Sequence, residues 1–444
     1  MRKFTKPFLV FFIATILLIS GALGNVAQVY AVENLNSQES ATEKTLENAI
    51  EKTGTYLIKN VTGPTLSSVG GEWTLLGLAR SKAGVPGQYK NIYLKNIKAI
   101  MVEQKGVLTK VKYTEYSRLI LALTALGEDV TRVEGYNLLS YLTDLDQITK
   151  QGVNGPSFAL LALDSKGYEL PKSAVDEVNK SGGKVADREA LIDYLLIRGP
   201  QEGDVDRTAM MLQGLAPYQR DPKVKAFGEK AFAVIASQEN FDGSFKLGEN
   251  DTSESLIQAI IAKERWGKDV KKNIEALMDY LLSDGSFEHI KGQGTDLMAT
   301  EQALYAMVNH QRNIEGKTDL YDMKDVSVSK GITVLLDGKP LIFDQPPIIE
   351  MGRNLVPMRG IFEAFGATVS YESEGRIVTG VLGEKTVVLT IGSTKARVNG
   401  REVTLDVPAK IVNNRTLVPL RFVGESLDAA VDWIDKTKTV VINR

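Results

Sequence analysis

The residues best suited to acid–base chemistry lie in segment 204–209 (DVDRTA), where two carboxylates stand two residues apart. A carboxylic acid that transfers a proton must hold that proton at the working pH, so its neighbours decide its use. We expect the guanidinium of Arg207 to keep Asp206 ionised and to lower its pKa. A second interpretation is helix capping. Three aspartates recur every 45 residues near predicted helix starts: Asp206, Asp251 and Asp296. We favour capping for all three.

Composition excludes several other kinds of site. The chain has no cysteine, which excludes disulfides, thiolate metal sites and cysteine nucleophiles. Its two histidines, His289 and His310, cannot form a three-histidine metal site, and they argue against a Ser-His-Asp triad. A net charge of −2 and the lack of a basic block argue against a nucleic-acid partner. We therefore predict no metal and no cofactor.

Residues 38–312 show the spacing of apolar residues, three and four apart, that is typical of helices. Six segments end in a small residue followed by an apolar one, at steps of 45, 40, 52, 45 and 47 residues: WTLLGLA (73–79), SRLILAL (117–123), SFALLAL (157–163), TAMMLQGL (208–215), SLIQAI (255–260) and TEQALYAM (300–307). Such a period fits one helical hairpin per repeat. We count about twelve helices and predict an inner ring of six within an outer ring, because helices that are small and apolar on most sides are surrounded by others.

This pattern resembles the α/α toroid of terpenoid and squalene cyclases and of protein prenyltransferases, over roughly residues 40–310. Segment 238–245 (QENFDGSF) is similar to the QW-type turn of those repeats, and segment 284–287 (DGSF) looks like its copy one hairpin later. Segment 204–209 resembles the DxDD-Thr-Ala segment of class II terpene cyclases, in which the position of Asp206 protonates an alkene. Arg207 stands where that motif has its third aspartate, which argues against this activity.

The resemblance implies a mouth, lined by the N-termini of the inner helices, that holds ligands. A cyclase cavity also needs aromatic faces that stabilise carbocations, whereas the chain is only 7% aromatic. Prenyltransferases need a zinc-binding cysteine, which the chain lacks. Animal cobalamin carriers resemble the same toroid, so the ligands to consider are a corrinoid, another bulky small molecule or a cell-wall glycan. The candidate residues are Glu72, Trp73, Tyr116, Arg118, Asp204, Asp206, Arg207, Asp251, Glu254, Asp296 and Glu301. Trp73 is the best stacking candidate, and packing at the rim is the equal alternative for it.

The first 31 residues have the features of a secretory signal peptide. Three basic residues precede an apolar run of 13 residues (8–20), and small residues at Val29 and Ala31 predict cleavage after Ala31. The alternative is a retained membrane anchor, for which the run is short of the roughly 20 residues of a span. We expect a bacterial cell-surface or extracellular protein with no membrane span after cleavage, since small animal secreted domains depend on disulfides.

The last quarter of the chain contains two copies of one sequence, 62 residues apart and without a gap. Residues 336–382 match residues 398–444 at thirteen identical pairs, which include LVPMR against LVPLR at Arg359 and Arg421. Each copy predicts a hairpin, at a DG or NG turn, followed by a strand, a short helix and two further strands. We expect the two arginines to pair with Glu363 and Glu425 rather than to bind anions.

This region resembles the copper amine oxidase N-terminal-like domain, or stalk domain, over about residues 331–444. The resemblance rests on LVPLR, the helix that follows it and the strand AAVDW (429–433). It implies no copper chemistry, because an amine oxidase needs three histidine ligands in a separate domain and this region has no histidine. It implies a spacer or adhesion module.

The sequence thus predicts a signal peptide (1–31), an all-α toroid of about six hairpins (32–312), a polar linker (313–330) and an α+β stalk domain (331–444). We expect a non-catalytic exported protein whose toroid binds a ligand or partner. Two alternatives stay open. One is a secreted terpenoid cyclase-like or lyase-type enzyme with Asp206 as its acid, and the other is a carrier of a corrinoid or other small molecule.

Overall fold

The computed structural model describes residues 44–247, 250–328, 332–341, 343, 345, 347–412, 415–434 and 438–444. The predicted signal peptide lies outside these residues. A helical N-terminal part precedes a β-rich C-terminal region. The chain divides into two compact units. The helical unit runs to Ile97 and includes Thr109–Ala125 and Leu142–Asp325, and the β-rich unit comprises Lys98–Leu108, Leu126–Tyr141 and Val326–Arg444. No helix among the described residues is long and apolar enough to cross a membrane.

Thirteen α-helices are described before residue 326. They are α1 (44–60), α2 (Glu72–Arg80), α3 (Gly87–Glu103), α4 (Thr114–Ala125), α5 (Leu145–Ile148), α6 (Asn154–Asp164), α7 (Lys172–Lys180), α8 (Arg188–Arg198), α9 (Val205–Leu215), α10 (Pro222–Gln238), α11 (Ser253–Arg265), α12 (Lys271–Met278) and α13 (Leu297–Ile314). Two short antiparallel pairs precede α11 and α13: β1 (Lys246–Leu247) with β2 (Asn250–Asp251), and β3 (Phe287–Glu288) with β4 (Thr295–Asp296).

Six of these helices pack in a closed cycle, in the order α2, α4, α6, α9, α11, α13 and back to α2. They are the helices that carry the six repeated segments. Their small residues allow close approach. A Cβ atom at Gly77 of α2 would lie 3.0 Å from the side chain of Leu304 in α13, and one at Gly214 of α9 would lie 2.9 Å from the carbonyl oxygen of Ser157 in α6. The spacing of small residues in the sequence therefore marks the helix-to-helix contacts.

Side chains fill the middle of this cycle. The ring of Trp73 on α2 lies 5.6 Å from that of Phe158 on α6 and 5.5 Å from that of Tyr305 on α13. Because α4 stands between α2 and α6 in the cycle, the first of these contacts crosses the interior. Gln258 accepts a hydrogen bond from Gln213 (2.9 Å) and donates one to the hydroxyl of Tyr305 (2.8 Å). Aromatic and amide groups thus occupy the interior at this level.

The two DGSF turns have the same geometry, in which an aspartate accepts hydrogen bonds from the serine two residues later. In the second turn, Asp284 accepts hydrogen bonds from the amide and hydroxyl of Ser286, and Phe287 is fully buried. Gly285 has φ +95°, and a Cβ atom there would lie 2.7 Å from the backbone of Lys52 in α1. The glycine is therefore required both by its conformation and by the close approach of the neighbouring outer helix.

Much of the segment predicted as a linker belongs to the helical unit, which extends to Asp325. Leu320 and Met323 are fully buried. The buried guanidinium of Arg80 donates to Asp325 (2.8 Å) and to the carbonyl oxygen of Asp322 (3.0 Å). The segment is polar and aperiodic because its polar groups pair with buried arginines of α2 and α13, which a composition-based boundary cannot detect.

The β-rich unit repeats one order of elements. The first copy contains β5 (Thr333–Leu336), β6 (Lys339–Leu341), β7 (Ile348–Glu350), β8 (Arg353–Pro357), α14 (Met358–Ala364), β9 (Thr368–Glu372) and β10 (Ile377–Leu382). After an additional strand, β11 (Lys385–Thr390), the second copy contains β12 (Lys395–Val398), β13 (Arg401–Thr404), β14 (Lys410–Val412), β15 (Arg415–Pro419), α15 (Leu420–Ser426), β16 (Ala430–Ile434) and β17 (Thr439–Asn443).

The strands of the two copies are interleaved. The sheet β14-β15-β8-β7 is symmetric, and at its centre Val356 of β8 pairs with its own equivalent, Val418 of β15, in antiparallel register. Two equivalent residues that face each other in this way define a local two-fold axis. The other two sheets, β16-β17-β5-β6 and β13-β12-β11-β10-β9, each join the start of one copy to the end of the other. One shared core fills the space between them.

Candidate functional site

Side chains at the starts of α9 and α11 and after β3 form a group that we call the rim cluster: Asp204, Asp206, Glu254, Ser255 and His289. Nδ1 of His289 lies 2.6 Å from Oε2 of Glu254, and the hydroxyl of Ser255 has a lowering effect on the pKa of Asp206. Asp206 also lies within electrostatic range of Asp204, Glu254 and His289. The His289 side chain is 40% exposed, so the cluster is open to solvent.

The aspartates predicted to cap helices behave differently from one another. Asp296 caps α13 by accepting from the amide of Ala299 (2.8 Å), as predicted. The prediction is wrong for Asp206, which is the second residue of α9, while Asp204 is the cap. It is also wrong for Asp251, which accepts from the side chain of Asn240 (2.9 Å). A 45-residue step does not fix helix register, because a shift of one or two residues moves a side chain from the cap into the first turn.

The expected effect of Arg207 on Asp206 is also wrong. The guanidinium of Arg207 donates to Asp204 (2.6 Å), three residues earlier on the helix. Neighbouring residues in a helix point in different directions, whereas residues three apart face each other. Burial dominates at Asp206 and raises the pKa of its carboxyl, with further upward contributions from Asp204 and Glu254. The carboxyl therefore holds its proton more firmly than the sequence suggested.

Three carboxylate oxygens at this end of the cycle are buried and have no hydrogen-bond partner among the described residues: Oδ1 of Asp206, Oε1 of Glu254 and Oε1 of Glu301. A buried polar atom that lacks a partner raises the free energy of the folded state by about 1–3 kcal/mol. Two of these three oxygens belong to the rim cluster. That cluster thus has hydrogen-bonding capacity that its own side chains do not use.

Glu72 and Glu301 form a separate network inside the wall of the cycle, where both side chains are fully buried. Glu72 accepts from Tyr93 (3.3 Å) and Arg118 (3.4 Å), and burial raises its pKa to about 7. Glu301 accepts from Thr74 (2.7 Å), and burial raises its pKa to about 8. Burial thus favours the protonated form of both acids, and the charge of Glu72 further raises the pKa of Glu301.

The structure divides the sequence-predicted candidates into groups. It brings Asp204, Asp206 and Glu254 together in the rim cluster. It places Glu72, Arg118 and Glu301 in the buried network, and Trp73 and Tyr116 in the packed interior, where Trp73 is 8% exposed. The remaining candidates lie in a turn (Asp251), at a helix cap (Asp296) and at the surface beside Asp204 (Arg207).

Sequence reasoning missed two members of the rim cluster, Ser255 and His289. His289 directly follows the two-residue strand β3, so no helical periodicity marks it, although histidine is rare in this chain and that rarity was a usable signal. The pairing of β3 with β4 before α13 places it beside α11, where its carbonyl oxygen accepts from the amide of Ser253 (3.0 Å).

A cleft of about 500 Å³ lies near the C-terminal ends of α6, α9 and α11. Asp164 there accepts from the hydroxyl of Tyr218 (2.8 Å) and from the guanidinium of Arg188 (2.7 Å). Arg265 donates to Asp319 (3.1 Å). The charged groups of this cleft satisfy one another, which distinguishes it from the rim cluster with its unused oxygens.

In the β-rich unit, Arg359 lies 3.9 Å from Glu363, as predicted, and both side chains are more than half exposed. Such an exposed pair adds little to stability. Among the described residues of the whole chain, no group of three or more histidine, aspartate and glutamate side chains is arranged to hold a metal ion.

Residues 335–442 match the family model of the copper amine oxidase N-terminal domain. This confirms the resemblance seen in LVPLR and AAVDW over that range. The matched region contains no histidine, so it lacks the imidazole ligands that copper takes in such oxidases. No curated protein matches the chain.

Proposed function

We propose that the chain is an exported, non-catalytic protein of a bacterial surface, in which a helical α/α toroid binds a ligand or partner at the rim cluster. The observation that carries this proposal is the pair of buried, unpartnered oxygens on Asp206 and Glu254. A ligand that offers hydrogen-bond donors, such as an amine or a hydroxyl-rich group, would satisfy both oxygens. The free energy otherwise lost on burying them would then contribute to affinity.

The toroid assignment rests on the closed order of α2, α4, α6, α9, α11 and α13 and on the six-fold sequence period. The N-terminal ends of helices carry a partial positive charge that favours carboxylates in the first turn. Glu72, Asp206 and Glu254 each lie at the first or second position of such a helix. The repeat thus concentrates acidic groups at one end of the cycle.

We propose a spacer or adhesion role for the β-rich unit, whose two matching halves arose by tandem duplication. The thirteen identical pairs at a fixed offset and the pairing of Val356 with Val418 support this origin. The basic and apolar character of residues 1–31 supports export. Expression of the full chain in a bacterium that secretes through the general pathway tests export. A mature N-terminus at Val32 is expected, and retention of Met1 would contradict it.

Thermal unfolding of the full chain with polyamines, oligosaccharides, corrinoids and linear isoprenoids tests binding at the rim cluster. A ligand at 100 times its dissociation constant should stabilise the protein by about 2.7 kcal/mol. The variant Glu254→Gln should lose that stabilisation. The matched control is His310→Gln, because Nδ1 of His310 lies 2.6 Å from Glu264. Glu264 lies on α11, as Glu254 does, but at the opposite end of that helix. Equal loss in both variants would contradict a site at the rim.

A second candidate function is acid catalysis by Asp206, as in a cyclase-like or lyase-type enzyme. The raised pKa of Asp206 and the turning of Arg207 towards Asp204 favour it. Against it, Trp73, Phe158 and Tyr305 fill the interior where a cyclase would hold its substrate. Asp206→Asn separates the two functions. An enzyme would lose product formation with an isoprenoid substrate, whereas the proposed binding unit forms no product either before or after the change.

A further inference from the structure

The β-rich unit has two grooves, each beside one of the repeated arginines. The first groove, of about 260 Å³, is lined by Pro357, Met358, Arg359, Tyr371, Ile411 and Arg415 among others. The second groove, of about 410 Å³, is lined by Pro419, Leu420, Arg421, Trp433, Ile349 and Arg353 among others. Each member of the second set lies 62 positions from the corresponding member of the first, in the order given. The two-fold axis through Val356 and Val418 therefore relates the two grooves.

The correspondence extends to every residue that lines the first groove. All nine have their counterparts, 62 positions away, in the second groove. Each groove uses both sequence copies, because Arg359 and Arg415 come from different copies, as do Arg421 and Arg353. The interleaving of the copies thus builds two sites of one design rather than one site per copy.

In each groove, the aromatic residue at the repeated position is the cross-strand partner of a buried valine. Tyr371 on β9 is directly opposite Val378 on β10, and Trp433 on β16 is directly opposite Val440 on β17. Both valines are buried, while Tyr371 is 46% exposed and Trp433 37% exposed. Aromatic residues this exposed on a rigid sheet supply a flat apolar surface at small entropic cost on binding. Strand pairing fixes the backbone position of each aromatic residue, and the ammonium group of Lys438 lies 5.7 Å from the centre of the Trp433 ring at the edge of the second groove.

Two arginine side chains border each groove beside its aromatic ring. The guanidinium groups of Arg359 and Arg415 border the first groove, and those of Arg353 and Arg421 border the second. Arg353 also donates to Asp406 (2.5 Å), which lines the second groove and orients the guanidinium. Arginine has five N–H donors in a planar fork and no acceptor. A ligand for these grooves therefore has a flat apolar face together with several oxygen acceptors on its edge.

We propose that the two grooves are equivalent saccharide-binding sites that together hold one linear glycan of repeated sugar units. A pyranose ring has a face of C–H groups that can lie on Tyr371 or Trp433, and hydroxyl oxygens on its edge that can accept from the arginines. The duplication favours a repeating polymer over a single small molecule, because two linked sites gain avidity only when one ligand reaches both. This inference deepens the adhesion role proposed for the β-rich unit.

The test is titration calorimetry of the full chain with a short oligosaccharide, followed by binding to the matching polymer. The probes are hexasaccharides of N-acetylglucosamine, glucose and galacturonic acid. We expect two sites per chain for one of the three, one site in Tyr371→Ala, one in Trp433→Ala and none in the double variant. Each single variant should weaken binding to the long polymer by 100-fold or more, because avidity is lost.

The matched control is Ile434→Ala, which removes an exposed apolar side chain from the residue next to Trp433 on the same strand. It should leave both sites intact. Unchanged melting temperatures would show that all four variants fold, as expected for exposed positions. Absence of binding by all three hexasaccharides would overturn the proposal. Binding that survives in the double variant, or binding of a proline-rich peptide in place of saccharide, would also overturn it.

The saccharide test of the grooves can be distinguished from the ligand test of the rim cluster. Glu254→Gln should leave saccharide binding by the grooves unchanged, and the Tyr371 and Trp433 variants should leave any ligand of the rim cluster bound. Loss of saccharide binding with a functional rim would refute only the grooves. The reverse pattern would refute only the rim cluster.

Discussion

The helical unit and the β-rich unit are both built from repeats, but they handle polar groups in opposite ways. In the helical unit the repeated segments differ in their polar residues, and Glu72, Arg118 and Glu301 interact electrostatically in the buried wall of the cycle. In the β-rich unit the two copies are identical at thirteen pairs of positions, and Arg359 and the aromatic residues Tyr371 and Trp433 lie at the surface. The first arrangement makes stability depend on ionisation, whereas the second gives two similar sites with little effect on stability.

The contrast in pH response is the largest effect that we predict. The pKa values of Glu301 (about 8) and Glu72 (about 7) lie above the ordinary value of 4.5, so the folded state binds these protons more tightly than the unfolded state. Their stabilising contribution is therefore complete below about pH 4.5 and is lost as pH rises through 7 to 8. We expect the free energy of unfolding of the helical unit to fall by several kcal/mol between pH 4.5 and 9. Glu301→Gln should remove most of this pH-dependent loss of stability.

Urea unfolding measured at several pH values checks this prediction. Fluorescence of Trp73 and Trp266 in a Trp433→Phe background reports on the helical unit alone. The β-rich unit should respond at the other end of the range, because hydrogen bonds from Arg444 lower the pKa of Asp337. That contribution is present above the unfolded pKa of Asp337 and is lost as pH falls below it. A helical unit whose stability does not change between pH 4.5 and 9 would contradict the buried network.

Removal of an arginine should also lower the free energy of unfolding by different amounts in the two units. Arg80→Ala takes away a side chain that is only 3% exposed, removes the donor to the carbonyl oxygens of Asp319 and Asp322, and leaves Asp325 with Arg312 as its remaining guanidinium partner. We expect it to lower the free energy of unfolding by about 3 kcal/mol. Arg359→Ala, the exposed counterpart, should lower it by less than about 0.5 kcal/mol. Chemical denaturation of both variants measures the difference, and similar values would refute the contrast between buried and exposed charge.

A turn glycine from each unit allows the same comparison for steric crowding. In Gly285→Ala the new Cβ atom would meet the backbone of Lys52 at 2.7 Å, in addition to the strain of a positive φ. We expect a loss of about 2 kcal/mol. Gly400 also has a positive φ, but nothing lies within 4 Å of the added atom. Gly400→Ala should therefore show the conformational strain alone, about 1 kcal/mol. Thermal unfolding of the two variants distinguishes these values.

The smallest effect concerns the two aspartates at the start of α9. Asp204→Ala removes the cap and should cost about 1 kcal/mol. Asp206→Asn retains the shape of the side chain and removes a buried charge, so its stability at pH 7 should equal or exceed that of the wild type. Circular dichroism melts provide the measurement. The reverse order of stability would restore Asp206 as the cap.

The sequence predicts the helical part, the β-rich part and the inner helices well, because these depend on repeated local patterns. The small residue that ends each inner segment marks a helix contact, as at Gly77 and Gly214. The sequence could also have revealed the grooves, since Tyr371 and Trp433 occupy equivalent positions in the repeat. It did not do so because exposure and strand interleaving are properties of the fold.

The polar chemistry of the helical unit was harder to predict. The direction of Arg207 depends on one helical turn, and the position of His289 depends on a two-residue strand. The packing of residues 318–325 depends on a guanidinium more than 230 residues earlier in the chain, that of Arg80. Each of these is a long-range or register-dependent contact, which neither composition nor periodicity records.

Hydrogen–deuterium exchange of the full chain, with and without the saccharide polymer that binds it, is the most direct test of the central claim. That claim is that glycan binding belongs to the grooves of the β-rich unit and not to the rim cluster of the helical unit. We expect slower exchange at both groove edges, in residues 369–371 and 431–433 to a similar degree, and no change in residues 204–207 or 251–255. Slower exchange at the start of α9 and α11 with none in the β-rich unit would place glycan binding on the helical unit. That result would contradict the assignment of glycan binding to the β-rich unit.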